Sequence, residues 1–191
     1  MDVKIKAKTI NNVYNSEVIN YYENQLNQEL KNILENKIHK KKKIGIFISY
    51  SHLDEDIKDK LDTHLAPLKR LEKISSWNDR KIIPGENWDT TIHNELNTAD
   101  IILLLISANF INSKYIWDFE LSKSLERNDT GECIVIPIFC KACDFNGMPF
   151  AKLQGLPKNA LPIASAANID EALTQVAIGI KLVVENILAS E

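Results

Sequence analysis

Residues 99–127 read ADIILLLISANFINSKYIWDFELSKSLER, and the change of pattern inside this stretch decides the fold. Ile101 to Ile106 is a continuous aliphatic run, far too short to span a bilayer but the length of a strand buried on both faces. From Ser113 the period changes. Trp117, Leu121 and Leu125 recur four apart, which is one stripe of an amphipathic helix with Ser113 as its N-cap. At about 100° per residue, Glu120 falls on the shoulder of that stripe, between Ile116 and Trp117. A carboxylate beside an indole is an odd choice for plain packing.

The same alternation repeats on either side. Ile44 to Ile48 is another short apolar run, followed by Ser51-His-Leu-Asp54 at capping-box spacing and by Ile57, Leu61, Leu65 and Leu68 at helical spacing. A weaker strand, Lys73 to Trp77, precedes a polar loop with Pro84-Gly85 as its turn signal. Trp77 and Trp88 bracket this loop and read as core anchors. Trp88, Ile92, Leu96 and Ala99 mark the next helix. Ile134 to Phe139 is a further strand, with Pro137 arguing for a strand end or bulge. A fifth strand is expected near Leu161 to Ala164, and a last helix capped by Asn168 with Glu171. Five strand–helix units predict an α/β fold: a five-stranded parallel sheet with helices on both faces. The functional crevice of such a sheet lies at the carboxyl ends of its strands. Ser49–His52, Trp77–Asn87, Ser107–Tyr115 and Glu120 converge there.

Residues 1–43 differ in character, being rich in Asn, Lys and Glu without Gly or Pro. Apolar residues from Val18 to Ile38 keep a helical period, so the domain division is an N-terminal helical extension with a Lys-rich linker at 1–43 and the α/β domain at 44–191. The apolar stripe of that helix must bury against its own domain, a second copy or a partner. His39 and Lys40–Lys43 read as a solvated linker rather than a membrane or nucleic-acid site.

The net charge of −3 gives no reason to expect a nucleic-acid partner, and no segment argues for a membrane. Three cysteines without an export signal predict a reducing cytoplasm. No Gly-rich phosphate loop follows a strand, and there is no G-x-S-x-G elbow, which argues against dehydrogenase, P-loop and α/β-hydrolase chemistry. Cys140-Lys-Ala-Cys143 has no second pair to complete a zinc site, so no metal is expected. Receiver-like phosphotransfer is rejected because Ser49-Tyr-Ser51 and Ser107 stand where acidic residues would be needed.

Four stretches in this order, IGIFISYSHLDE at 44–55, SSWNDRKIIPGENWD at 75–89, the opening stretch, and VIPIFCKACDFNGMPFAKLQGLPKN at 135–159, resemble the bacterial Toll/interleukin-1 receptor (TIR) domain family. The resemblance implies a flavodoxin-like TIR fold and, in many bacterial members, cleavage of the nicotinamide–ribose bond of NAD⁺ to ADP-ribose or a cyclic product, often in anti-phage defence. NAD⁺ is then a substrate, and no cofactor is implied. The position matching the family's catalytic glutamate is Glu120. Tyr50 and Ser51 match the nicotinamide–ribose end of the pocket, and Asp79 to Gly85 match a mobile flap, with Arg80 and Lys81 available to the pyrophosphate. Many catalytic members carry Trp four residues before the glutamate. Here that position is Ile116, leaving Trp117, one residue late, or Tyr115 as the aromatic surface. The family also implies self-association through TIR domains, into filaments in some cases, and an effector or sensor partner protein. Its non-catalytic members are protein–protein adaptors, which is the alternative reading.

Overall fold

The computed structural model describes Tyr21, Gln25, Leu26, Gln28 and residues 43–190. The chain divides into two units, Met1–Lys42 and Lys43–Glu191. The four described residues of the first unit are helical; the rest of the expected N-terminal helix lies outside the described residues.

In the second unit β1 (Ile44–Ser49), β2 (Ile74–Trp77), β3 (Ile101–Ile106) and β4 (Ile134–Phe139) form a parallel sheet in the order β2-β1-β3-β4. All six residues of β3 are fully buried, as the unbroken aliphatic run requires. One face is covered by α1 (Glu55–His64), α2 (Ala66–Arg70) and the C-terminal α6 (Ile169–Ser190). Ile57, Leu61, Leu65 and Leu68 are buried there, although a break at Leu65, ahead of Pro67, divides the expected single helix in two. The other face is covered by α3 (Trp88–Thr98) and the segment that follows β3. That segment is a short α4 (Ala108–Asn112), a π-helical turn (Ile116–Leu121) and α5 (Ser122–Asp129). By length and composition α6 could cross a membrane; here Leu173, Val176, Ile180 and Val184 are buried on the sheet, as in a core helix.

Among the described residues the sheet has four strands, not five. Leu156 makes a single parallel bridge to Ile138, donating its N–H to the Pro137 carbonyl (2.8 Å) and accepting from Phe139 N (2.8 Å). The chain then bends at Pro157 and turns through residues 158–159, closed by Ala160 N donating to the Pro157 carbonyl (2.9 Å), so the ladder stops after one rung. The expected strand at Leu161 to Ala164 instead contains a 3₁₀ turn, Ile163–Ser165, preceded by Pro162. Pro137 itself sits inside β4, at the edge of the sheet where a missing donor is tolerated.

Gly155 lets the bridging segment approach β4. A Cβ at 155 would lie 2.5 Å from the Phe139 ring and 2.8 Å from the Pro137 carbonyl oxygen. Gly155→Ala is therefore expected to destabilise the domain by about 1–3 kcal/mol, the usual cost of overpacking, read as a lower midpoint in urea unfolding.

Candidate active site

The chain runs from β1 outward to β2, then crosses back past β1 to β3, so the sheet's switch point lies at the carboxyl ends of β1 and β3. A cleft of about 260 Å³ opens there. The loop after β1 supplies Tyr50, Ser51 and His52; the loop after β2 supplies Asp79; Trp88 and Ile92 come from α3; Ser113, Tyr115, Ile116 and Glu120 come from the segment after β3. The volume is at the low end for a ligand site and suits one end of a dinucleotide rather than the whole.

Glu120 is 7% exposed. Its Oε2 accepts a hydrogen bond from the Ser49 hydroxyl, at the last position of β1. Its backbone carbonyl accepts from Ser124 Oγ at 2.5 Å. Burial pushes its carboxyl up to about 7; the Ser49 hydrogen bond opposes this, the Asp79 carboxylate adds to it and His52 works against it.

The π-helical turn explains how Glu120 reaches the cleft. In a π-helix the repeat is i→i+5, so residues four and five positions back share a face with Glu120. Those residues are Ile116 and Tyr115, and both line the cleft. Trp117, three back, does not. It lines a separate hollow with Asp118, Leu121, Leu125 and Pro149. The expected Trp117 contact with the site is thus corrected, and with it the α-helical angle that put Glu120 beside the indole. Ser113 does cap this segment, accepting from Ile116 N at 3.5 Å.

The aromatic surface comes from Tyr115 and Trp88, whose rings lie 4.6 Å apart in a tilted pair. Trp88 is 45% exposed and lines the cleft, so it is not the core anchor the sequence suggested. Trp77 is one, stacked on Phe47 at 5.3 Å. Tyr115 donates to Asp89 Oδ1 at 3.3 Å, and burial first, then Glu120 and Asp89, raise its phenol above the ordinary range.

The expected binding residues divide into two groups. Tyr50, Ser51, Asp79 and Tyr115 join Glu120 in the cleft. Arg80 and Lys81 do not line it. Arg80 makes a bidentate pair with Glu55, Nε and Nη2 each 2.7 Å from a carboxylate oxygen, and Lys81 Nζ donates to the Ser76 carbonyl. Among the described residues the cleft lining therefore carries two carboxylates, Asp79 and Glu120, and neither Lys nor Arg. Tyr50 Oη and Asp79 Oδ1 are buried and make no hydrogen bond, while Asp79 Oδ2 meets His52 Nε2.

Asp54 is also corrected. At capping-box spacing from Ser51 it would reach back to the Ser51 backbone. Instead Ser51 Oγ accepts from Leu53 N at 3.4 Å, and Asp54 is fully buried behind the cleft. It accepts from Ser107 Oγ and from Asn109 Nδ2 (3.0 Å), and pairs with Lys141 Nζ (2.7 Å). One carboxylate thus ties together the segments after β1, β3 and β4.

Residues 46–174 match the TIR domain family. The chain belongs to that family. Over 133 residues this TIR protein is 47% identical to the uncharacterized protein y4lF of Sinorhizobium fredii (strain NBRC 101917 / NGR234), a match covering 70% of the chain and 41% of that relative. The chain thus aligns with less than half the relative's length. Ser49, His52 and Trp88 are polar or aromatic groups at the cleft of the TIR domain that were not among its expected site residues. The first two were visible only as members of a segment ending at the crevice. Among the described residues, no group of three or more His, Cys, Asp or Glu is placed to hold a metal ion. The described cysteines are free thiols, with Cys133 and Cys140 buried.

Proposed function

We propose that this TIR domain cleaves the nicotinamide–ribose bond of NAD⁺, releasing nicotinamide and ADP-ribose or a cyclic product, as a cytoplasmic defence enzyme. The observation that carries this reading is Glu120: a buried carboxylate, pushed up to about 7, in a switch-point cleft that has aromatic walls and, among the described residues, no Lys or Arg. Nicotinamide leaves NAD⁺ as a neutral molecule, so departure needs no general acid. The positive charge moves to the ribose as an oxocarbenium-like ion. An ionised Glu120 facing that cation stabilises it in a site of low dielectric. The acidic lining suits the cationic pyridinium-ribose end and offers nothing to the diphosphate. Arg80, released from Glu55, or a residue of a neighbouring copy would meet that end. Assembly of TIR domains, head to tail and open-ended in filaments, completes the site in the second case.

The test is nicotinamide release from NAD⁺ across a concentration series, by wild type and by Glu120→Gln. No release at any concentration, or equal release by both, overturns the reading. The pH profile is a further expectation. Only ionised Glu120 can stabilise the cation, so kcat/KM rises about tenfold per pH unit below about 7 and levels off above it. The cationic substrate favours the carboxylate, so the midpoint in kcat lies lower. Initial rates from about pH 5 to about pH 9 check both. A kcat/KM that is flat through this range counts against Glu120 as the acting carboxylate.

The adaptor reading rests on a different observation. Ile83, in the loop after β2, is 62% exposed, and Leu53 after β1 is 74% exposed, both at the carboxyl edge of the sheet. On that reading Ile83→Asp abolishes partner binding and Glu120→Gln changes nothing.

A further inference from the structure

A carboxylate that stabilises a ribosyl cation does not decide what captures it. Water attacks as a weak nucleophile and must lose a proton, so hydrolysis gains from a base near the cleft. Glu120 is poorly suited to that second task. It lies against the cation and already accepts from Ser49.

The cleft holds a second acid–base unit. His52, from the loop after β1, has Nε2 on Asp79 Oδ2, from the loop after β2. An ionised Asp79 accepts, so Nε2 carries the proton and Nδ1 is left as the basic nitrogen. The Asp79 side chain is 16% exposed and that of His52 is 54% exposed, so the pair runs from the cleft wall to solvent. Beside it, Tyr50 Oη and Asp79 Oδ1 are buried polar atoms with no hydrogen-bond partner. Tyr50 is 6% exposed, and its ring lies 5.7 Å from that of His52. Burial and, after it, the Asp79 carboxylate raise the Tyr50 phenol, so a donor and an acceptor stand near each other in the cleft and match the needs of a bridging water molecule or a ribose hydroxyl.

We infer that His52, oriented by Asp79, is the base that receives the proton of the attacking water and so directs the ribosyl cation to hydrolysis. This rests on the NAD⁺-cleaving reading above. The C1′–N bond breaks with its electron pair leaving on nicotinamide. A water lone pair forms the C1′–O bond, and its O–H proton passes to His52 Nδ1. The resulting imidazolium is stabilised by Asp79 and returns the proton to solvent at the mouth of the cleft. The sum is NAD⁺ plus water giving nicotinamide, ADP-ribose and a proton.

The test compares two acceptors. A pyridine base such as 3-acetylpyridine attacks through a lone pair and loses no proton, so base exchange needs no general base, whereas hydrolysis does. The ratio of ADP-ribose to exchanged dinucleotide is measured for wild type, His52→Gln and Asp79→Asn, with melting curves to confirm folding. In His52→Gln the ratio is expected to fall about tenfold or more, and in Asp79→Asn to move the same way. An unchanged ratio, or equal losses of both products, overturns the assignment and leaves His52 as a surface ion pair. Wild type that neither hydrolyses nor exchanges overturns the NAD⁺-cleaving reading itself, and this assignment with it.

Discussion

Glu120→Gln will release nicotinamide from NAD⁺ about 100- to 1,000-fold more slowly than wild type, and above pH 7 it will melt at a higher temperature. The rate follows from removing the buried carboxylate that faces the ribosyl cation. The stability follows from the same burial. Between the ordinary value of 4.5 and the folded value of about 7, the native state holds a proton that the unfolded chain has lost. Stability is therefore full below pH 4.5 and falls as pH rises through about 7, where the buried carboxylate ionises. At about 1.4 kcal/mol for each tenfold displacement of the proton equilibrium, the ionised form costs about 3 kcal/mol. Glutamine is neutral throughout, and its amide oxygen still accepts from Ser49. Melting curves at pH 5 and pH 8 check the sign: near-coincidence at the lower pH and a gain of several degrees at the higher. A variant that is inactive and less stable at both would mean the side chain is structural.

Asp54→Ala is expected to be strongly destabilising, costing about 3–5 kcal/mol. It leaves Lys141 without its buried partner and removes an acceptor from Ser107 and Asn109 at once. Burial alone would raise the Asp54 carboxyl, yet its hydrogen bonds with Lys141, Ser107 and Asn109 together hold it below the ordinary value. A depressed value contributes stability that is present above the unfolded value and lost as pH falls through the folded one. Wild type should therefore lose this contribution only in acid, and Asp54→Ala should lack it at neutral pH. For a domain of this size the melting temperature should drop by about 6–20 °C. A drop of only a degree or two would show that the three segments are held together by other contacts.

The fold was largely legible because its signals are local. The apolar runs at Ile44, Ile101 and Ile134 each became a buried strand, and the periodic stretches after them became helices. Where a signal depended on distant partners it failed. The fifth strand was expected at Leu161 to Ala164, but the chain meets β4 earlier, at Leu156, and turns away at once. Asp54 stands at a correct capping spacing, but its partners lie more than fifty residues away, at Ser107, Asn109 and Lys141. Trp117 failed for a different reason. Helical reasoning assumes a constant pitch, and the pitch changes at the residues that matter. Glu120 was placed correctly in the crevice because strand order, more than helix phase, brings it there. Ser49 and His52 carry no motif of their own. Only the register of β1 against β3 and the approach of the second loop give them partners.

The π-helical turn has a consequence for how this protein can vary over time. A surface helix ordinarily tolerates a change of letter or, at its ends, a change of length. Between Ser113 and Ser124 the orientation of the carboxylate depends on the number of residues spanned as well as on their identity. Losing one codon there would return the helix to a regular pitch and rotate Glu120 off its line of sight without altering the glutamate. Gaining one would do the reverse in a relative whose helix is regular. Comparison of homologues column by column scores residues and treats gaps as noise. A gap of one in this segment therefore changes where the carboxylate points even when the glutamate itself is kept.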